Sequence, residues 1–206
     1  MTRVLLIRHG EADQVDVRLL GRTPDIHLTG RGRSQARSLG ISLRPGAPAA
    51  LFTSPIERAV ETAAEIGAQI GLTPRVLLEL NELEFGGWAG KTFEELSALE
   101  EWHRFNSARA VTRPPGGESL RDAQMRSVSA LRRVASAFPE GIIAAVTHAD
   151  IIRAVLAASL SISLNEAWRV EIGFASVTAI EVAGRRSRVL IVNGLSGERE
   201  LGLLPS

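Results

Sequence analysis

The 206-residue chain contains no cysteine. This absence excludes a disulfide framework, thiolate metal ligands and a cysteine nucleophile, and it leaves the redox environment undetermined. Long apolar runs are also missing. The nearest, Ile151–Leu160, is far shorter than the roughly 20 residues that cross a bilayer, and it carries Arg153. With no leader pattern at the amino terminus, we expect a cytoplasmic protein without a membrane partner.

An excess of charge of one sign is absent as well. The 24 Lys and Arg residues nearly balance the 23 Asp and Glu residues, giving a net charge of +1. Such a balance creates no global field for nucleic acid, so any anion site must be local and we expect no nucleic-acid partner. The length favours one domain over residues 1–206, with a small lid-like segment around residues 77–116.

Strand and helix patterns alternate along the chain. Short apolar runs predict strands, the last two forming a hairpin, at Val4–Ile7, Ala49–Thr53, Thr73–Val76, Ile142–Thr147, Ala175–Val182 and Arg188–Val192. Capping and breaker residues predict helices at Thr29–Leu43, Ser54–Ile70, Thr92–Phe105, Glu118–Phe138 and Ile151–Leu160. This alternation predicts an α/β fold with a mostly parallel central sheet and helices on both faces.

Charged and imidazole side chains stand where predicted strands end. Arg8 and His9 follow the first strand, His148 follows Ile142–Thr147, and Arg58 lies in the helix after Ala49–Thr53. Parallel neighbours would bring all four to one carboxyl edge of the sheet, where open α/β sheets bind ligands. Guanidinium groups match phosphate geometry, so the crevice is expected to hold a phosphoryl group.

The same cations favour neutral histidines. Two unit charges about 4 Å apart interact by roughly 4 kcal/mol at an effective dielectric near 20, so nearby guanidiniums disfavour imidazolium. Neutral imidazole is a nucleophile and can form a covalent phosphohistidine. Protonation of the leaving oxygen needs an acid, and the segment Leu80–Trp88 offers Glu82 and Glu84 beside apolar residues that would raise a carboxyl pKa.

Several motifs, in order, resemble the histidine phosphatase superfamily, the phosphoglycerate-mutase-like proteins. They are Arg8-His9-Gly10-Glu11, Leu28-Thr29 with Gly32 and Gln35-Ala36, Thr53-Ser54-Pro55 with Arg58-Ala59 and Thr62-Ala63, Leu80 with Glu82, Phe85-Gly86 and Trp88 with Gly90, Gly117-Glu118-Ser119, and Val146-Thr147-His148. The resemblance implies the phosphoglycerate mutase-like three-layer sandwich. It also implies that no metal and no organic cofactor is needed.

The resemblance also implies a role for each matching residue. His9 is the phosphorylated nucleophile, while Arg8, Arg58 and His148 form the phosphate pocket. Glu82, four residues before Gly86, is the proton donor, with Glu84 as its competitor. The backbone N–H of Ala149 and the loop residue Gly21 are further candidate contacts with the substrate. Asp150 would repel an anion, so we expect it to cap the following helix.

The expected activity is metal-independent hydrolysis of a small phosphomonoester, and three alternatives stay open. A cofactor-dependent phosphoglycerate mutase is disfavoured by Val15, which cannot make a polar contact with phosphate, and by the short segment between Glu82 and Glu118. A phosphate-binding regulatory module without catalysis is the second. A metal site on the two histidines and Glu82 is the third, and the two arginines would repel its cation. The closing hairpin offers an edge for a homodimer.

Overall fold

The computed structural model describes residues 1–15 and 17–194. Within these ranges one sheet is formed by β1 (Thr2–Arg8), β2 (Ala50–Thr53), β3 (Arg75–Val76), β4 (Ile142–Thr147), β5 (Val177–Ala183) and β6 (Arg186–Gly194). The spatial order is β3-β2-β4-β1-β5-β6. The strands from β3 to β1 are parallel, whereas β5 and β6 form an antiparallel edge. The predicted mostly parallel sheet is confirmed.

Helices cover both faces of this sheet. They are α1 (Gly30–Leu43), α2 (Glu57–Ile70), α3 (Phe93–Ser97), α4 (Glu100–Ser107), α5 (Leu120–Ser136) and α6 (Ala149–Leu160). Successive side chains of β1 point to opposite faces. Leu5 therefore lies in the buried cluster that contains Leu39 of α1, while Leu6 lies in the cluster that contains Leu131 of α5. The α/β architecture with two helical layers is confirmed.

Three helices begin at residues other than those the sequence predicts. Ser54 is not the N-cap of α2, which starts after Ile56, because the Ser54 hydroxyl is bonded to His148 at 2.8 Å. Helix α5 starts after Ser119, whose capping box with Asp122 leaves Glu118 outside the helix. Helix α6 starts directly after His148, two residues before the predicted Ile151.

The predicted helix Thr92–Phe105 is two helices. The capping box of Thr92 with Glu95 is present, but α3 ends at Ser97 and the backbone of Leu99 is extended before α4. This break lets Leu96 and Phe105 both become fully buried. A straight helix has about 3.6 residues per turn, so residues nine positions apart lie on opposite faces, and burial of both in one core overrides the continuous helical pattern.

The segment 77–116 packs on the carboxyl-edge side of α5 and α6. Its apolar side chains Leu83, Phe85 and Trp88 share a buried cluster with Leu120 of α5 and Ile151 of α6. Residues 17–19 and 90–93 are joined by backbone hydrogen bonds across their loops. Among the helices that the structure describes, none has the length and apolar content needed to cross a bilayer.

Candidate active site

The two strand-end histidines meet at the carboxyl edge of the sheet. Strands β1 and β4 are parallel neighbours with Arg8 opposite Thr147, so His9 and His148 leave the sheet side by side. Their ring centroids are 5.2 Å apart, and both side chains are buried. The convergence predicted from the sequence is therefore present in the structure.

Arg58 lies between the two rings. It projects from the first turn of α2, and its guanidinium Nε is 3.3 Å from His9 Nε2 while Nη2 is 3.5 Å from His148 Nδ1. Nη2 also donates to the Gly21 carbonyl at 2.7 Å. Gly21 has φ +50°, and a Cβ there would lie 2.9 Å from the Phe85 ring, so this tight turn requires glycine. Gly21, predicted as a substrate contact, holds Arg58 through its carbonyl.

Hydrogen bonds determine which nitrogen of His9 carries the proton. His9 Nδ1 is 2.8 Å from the Gly10 carbonyl, which can only accept, so Nδ1 carries the hydrogen. Nε2 faces the Arg58 guanidinium, which can only donate. The unprotonated nitrogen of His9 therefore points toward the cationic side of the crevice.

Both histidines are neutral near pH 7. Burial lowers the pKa of His9 well below its ordinary value, and the charges of Arg58 and then Arg8 lower it further. Burial and the Arg58 charge also lower the pKa of His148 well below its ordinary value. An imidazole that stays unprotonated keeps the lone pair that a nucleophile needs.

Arg8 is held by two residues that the sequence did not single out. Its Nη1 donates to the Ile172 carbonyl at 2.6 Å, and its guanidinium carbon lies 3.8 Å above the ring of Phe174. Within the described residues, Arg8 Nε and Arg58 Nη1 are buried without a hydrogen-bond acceptor. Buried donors without acceptors are costly, and an anion with several oxygens would satisfy both.

The structure separates the two candidate acids. Glu82 lies on the pocket wall, with its Oε2 3.9 Å from His148 Nδ1 and its Oε1 accepting from the Leu83 N–H at 2.8 Å. Burial raises the pKa of Glu82 to about 7, and the nearby Asp150 carboxylate contributes to the rise. Glu84 instead forms an ion pair with Arg22 at 3.2 Å and does not line the pocket.

Asp150 does not cap α6, contrary to the sequence-based expectation. It sits in the first turn of that helix and lines the pocket. Two guanidiniums pair with its carboxylate. Arg109 Nη2 lies 2.7 Å from Oδ2, and Arg153 Nη1 lies 3.3 Å from Oδ1. Burial opposes its ionisation, but these cations outweigh burial and lower the Asp150 pKa. Ala149 is the first residue of α6, where a backbone N–H has no acceptor within the helix.

The pocket opens beyond these groups into an apolar mouth. Its volume is about 170 Å³, and beyond the polar residues it is lined by Val15, Leu19, Leu20, Phe85 and Phe93, with the cation Arg18 among them. The Phe93 ring is 42% exposed at the pocket. Its place as the first residue of the short helix α3 explains this exposure.

Comparison with known proteins identifies the family. The model of the histidine phosphatase superfamily, branch 1, matches residues 4–194. The chain belongs to this superfamily. It is 31% identical over 196 residues to a bifunctional protein of Mycobacterium tuberculosis, covering 93% of the chain. It spans about half the length of that relative (54%).

Other relatives match along nearly their whole length. Phosphoserine phosphatase 1 of Hydrogenobacter thermophilus is 27% identical over 195 residues, covering 94% of this chain and 92% of the relative. The structure of mycobacterial glucosyl-3-phosphoglycerate phosphatase matches with a TM-score of 0.84 and 28% identity, covering 93% and 98% of the two chains. Bacillus stearothermophilus YhfR matches with a TM-score of 0.88 and 30% identity, covering 95% and 98%.

Proposed function

We infer that this chain hydrolyses small phosphomonoesters through a covalent phosphohistidine at His9. The observation that supports this most directly is the unprotonated Nε2 of His9, which faces a crevice where Arg8 Nε and Arg58 Nη1 have no acceptor among the described residues. Relatives named as phosphatases agree with this chemistry. The apolar pocket mouth suits an ester whose leaving group has an apolar face.

The proposed first step transfers the phosphoryl group to the enzyme. His9 Nε2 attacks phosphorus, the ester P–O bond breaks, and Glu82 gives its proton to the leaving oxygen. Arg8, Arg58 and His148 stabilise charge on the non-bridging oxygens, with the Ala149 N–H as a further donor.

The second step returns the enzyme to its starting state. The Glu82 carboxylate takes a proton from water as the water oxygen attacks phosphorus, the P–N bond breaks, and inorganic phosphate leaves. In this proposal neither a metal nor an organic cofactor takes part, so excess EDTA should leave the hydrolysis rate unchanged. A rate that falls with EDTA and returns with added metal would contradict that part of the proposal.

The decisive experiment compares wild type with His9→Ala. Wild type should release phosphate from p-nitrophenyl phosphate and acquire an acid-labile phosphoryl label, whereas His9→Ala should do neither. His103→Ala is the matched control, because the exposed His103 side chain bonds the Ser97 carbonyl and does not line the pocket, so hydrolysis should be unchanged. A wild type that binds phosphate tightly but hydrolyses no ester across a broad panel would identify a binding module instead.

Mutase activity is distinguished by a separate assay. Val15 lines the pocket with an apolar side chain, which gives a second phosphate group on a sugar acid no polar partner at that position. We therefore expect hydrolysis to exceed conversion of 3- to 2-phosphoglycerate in the presence of bisphosphoglycerate. The opposite ratio would make the chain a mutase.

Two further proposals concern organisation. Segment 77–116 is proposed as a lid-like part of a single domain, since its residues 90–93 pair with residues 17–19 at the pocket mouth. Among the described strands β6 is outermost and pairs with β5, and we propose its outer edge as the surface for a second copy of the chain. Sedimentation equilibrium tests this homodimer, and a monomer mass at all concentrations would exclude it.

A further inference from the structure

Two loops approach each other closely behind the proposed acid. The Gly87 N–H donates to the Pro115 carbonyl at 2.8 Å, and the Glu118 N–H donates to the Glu84 carbonyl at 3.0 Å. A Cβ on Gly86 would lie 2.1 Å from the Pro115 oxygen, and a Cβ on Gly117 would lie 2.3 Å from the Glu84 oxygen. The loops therefore meet backbone to backbone, which explains the glycines in both motifs.

The carboxylate of Glu118 is the centre of a polar network at this junction. Its Oε1 accepts from Arg22 Nη2 at 2.8 Å, from Arg126 Nη2 at 2.7 Å and from the Glu84 N–H at 3.1 Å. Its Oε2 accepts from Arg126 Nε at 3.1 Å. One carboxylate thus fixes two guanidiniums that come from distant parts of the chain.

Both guanidiniums also donate hydrogen bonds to the backbone of Glu82, the proposed acid. Arg22 Nε donates to the Glu82 carbonyl at 2.8 Å, and Arg126 Nη2 donates to the same carbonyl at 3.1 Å. Arg126 Nη1 also donates to the Glu79 carbonyl at 2.5 Å, which fixes the loop before Glu82. Glu118 itself does not line the pocket. Its influence on substrate must therefore pass through the Glu82 loop.

We propose that Glu118 is a positioning residue that sets the Glu82 carboxyl group within reach of the leaving-group oxygen. The inference rests on the proposed function of Glu82 as the acid. Proton transfer requires heavy atoms about 2.6 to 3.2 Å apart, and a shift of about 1 Å can cost 100-fold in rate. Freed from the two guanidiniums, the Glu82 peptide would no longer hold its side chain at one depth in the pocket.

The test uses the leaving group as a probe of proton donation. Good leaving groups such as 2,4-dinitrophenolate depart without a proton, whereas an alkoxide needs one. We expect Glu118→Ala to lower kcat/KM about 10- to 100-fold for an alkyl phosphate and less than about 3-fold for 2,4-dinitrophenyl phosphate. Glu118→Gln keeps an acceptor oxygen, so its kcat/KM for the alkyl phosphate should lie between those of Glu118→Ala and wild type.

Controls separate positioning from general stability. Glu181→Gln removes a carboxylate of the same side-chain exposure (16%) that pairs with Arg3 and Arg188 at the other end of the sheet, and it should not alter the leaving-group dependence. If Glu118→Ala does not fold, Arg126→Lys replaces it. This variant keeps the charge but loses the several N–H donors of the guanidinium, and it should show the same loss of kcat/KM for the alkyl phosphate. Equal loss on all esters, or no loss, would overturn the inference while leaving the proposed function intact. A wild type without hydrolysis would overturn both.

Discussion

His9 Nε2 lies 3.3 Å from Arg58 Nε, and this pairing gives one cation two separate effects on the proposed nucleophile. The guanidinium faces the unprotonated ring nitrogen, so it reinforces the tautomer that the Gly10 carbonyl selects at Nδ1. It also lowers the pKa of His9, second only to burial. A residue chosen as a phosphate ligand is therefore also part of what keeps the nucleophile neutral.

The first prediction separates the charge of Arg58 from its shape. Arg58→Gln removes the charge, so the His9 pKa rises and the acidic limb of the kcat/KM profile should move to higher pH. The rate itself should fall about 100- to 1,000-fold with the loss of an oxyanion donor. Arg58→Lys keeps a charge and should lose rate with little movement of the limb. Profiles on one substrate decide this, and an unmoved limb in Arg58→Gln would contradict it.

The sequence predicts the parts of the site that follow from sheet topology. His9 and His148 each follow an apolar run, and parallel neighbouring strands necessarily bring them together. Arg58 lies in the first turn of the helix after the next strand. The two histidines and Arg58 are readable because local patterns indicate where each strand ends. Glu82 is preferred over Glu84 only through the family resemblance, which places the acid four residues before Gly86.

The remaining features depend on long-range packing. Phe174 contacts Arg8 across 166 positions, and nothing near Phe174 in the sequence marks it as part of a phosphate pocket. The sequence predicts that Asp150 caps α6 because an unpaired carboxylate in the pocket would repel an anion. In the structure Arg109, which lies 41 residues earlier in the segment after α4, pairs with this carboxylate. Guanidinium partners so far away cannot be assigned from spacing along the chain.

The second prediction concerns pH. Burial raises the Glu82 pKa to about 7, so the protonated acid is present below that pH and lost above it. For an alkyl phosphate, kcat/KM should fall as pH rises through about 7. Asp150→Asn removes the carboxylate that contributes to this rise and leaves Arg109 and Arg153 uncompensated. The alkaline limb should therefore move to lower pH, and movement in the other direction would exclude the assignment of Glu82.

The third prediction concerns the effect of buried Glu82 on the free energy of unfolding. Because the folded-state pKa is raised, the unfolded chain loses the Glu82 proton at lower pH than the folded chain, and stability falls as pH rises from about 4.5 to 7. Glu82→Gln lacks this ionisation. Relative to wild type, it should gain on the order of 1 to 3 kcal/mol in unfolding free energy between pH 5 and pH 8. Urea titrations at both pH values measure the unfolding free energies of wild type and Glu82→Gln. A difference between the two proteins that is the same at both pH values would contradict the prediction.

The fourth prediction concerns the apolar pocket mouth. Phe93 → Ala removes an exposed ring from the wall and should lower kcat/KM for 1-naphthyl phosphate by about 5- to 30-fold, the equivalent of about 1 to 2 kcal/mol of apolar contact. A small polar ester such as glycerol 2-phosphate should change by less than about 2-fold. Trp168→Ala, another exposed aromatic that is absent from the pocket wall, is the control. Equal loss on both esters would show that the ring does not contact the leaving group.

The fifth prediction uses two glycines of the same helix. A Cβ on Gly32 would lie 2.0 Å from the carbonyl oxygen of Glu11, in the loop that follows His9, so Gly32→Ala must push that loop away. We expect a loss of about 1 to 3 kcal/mol in unfolding free energy, together with reduced hydrolysis. Gly30→Ala is the matched control, because open space surrounds that position and α1 begins there. It should be neutral or gain about 0.4 to 1 kcal/mol, since alanine restricts the unfolded chain. Urea unfolding of both variants tests the contrast, and equal stability would mean that the loop and α1 do not make this close contact in solution.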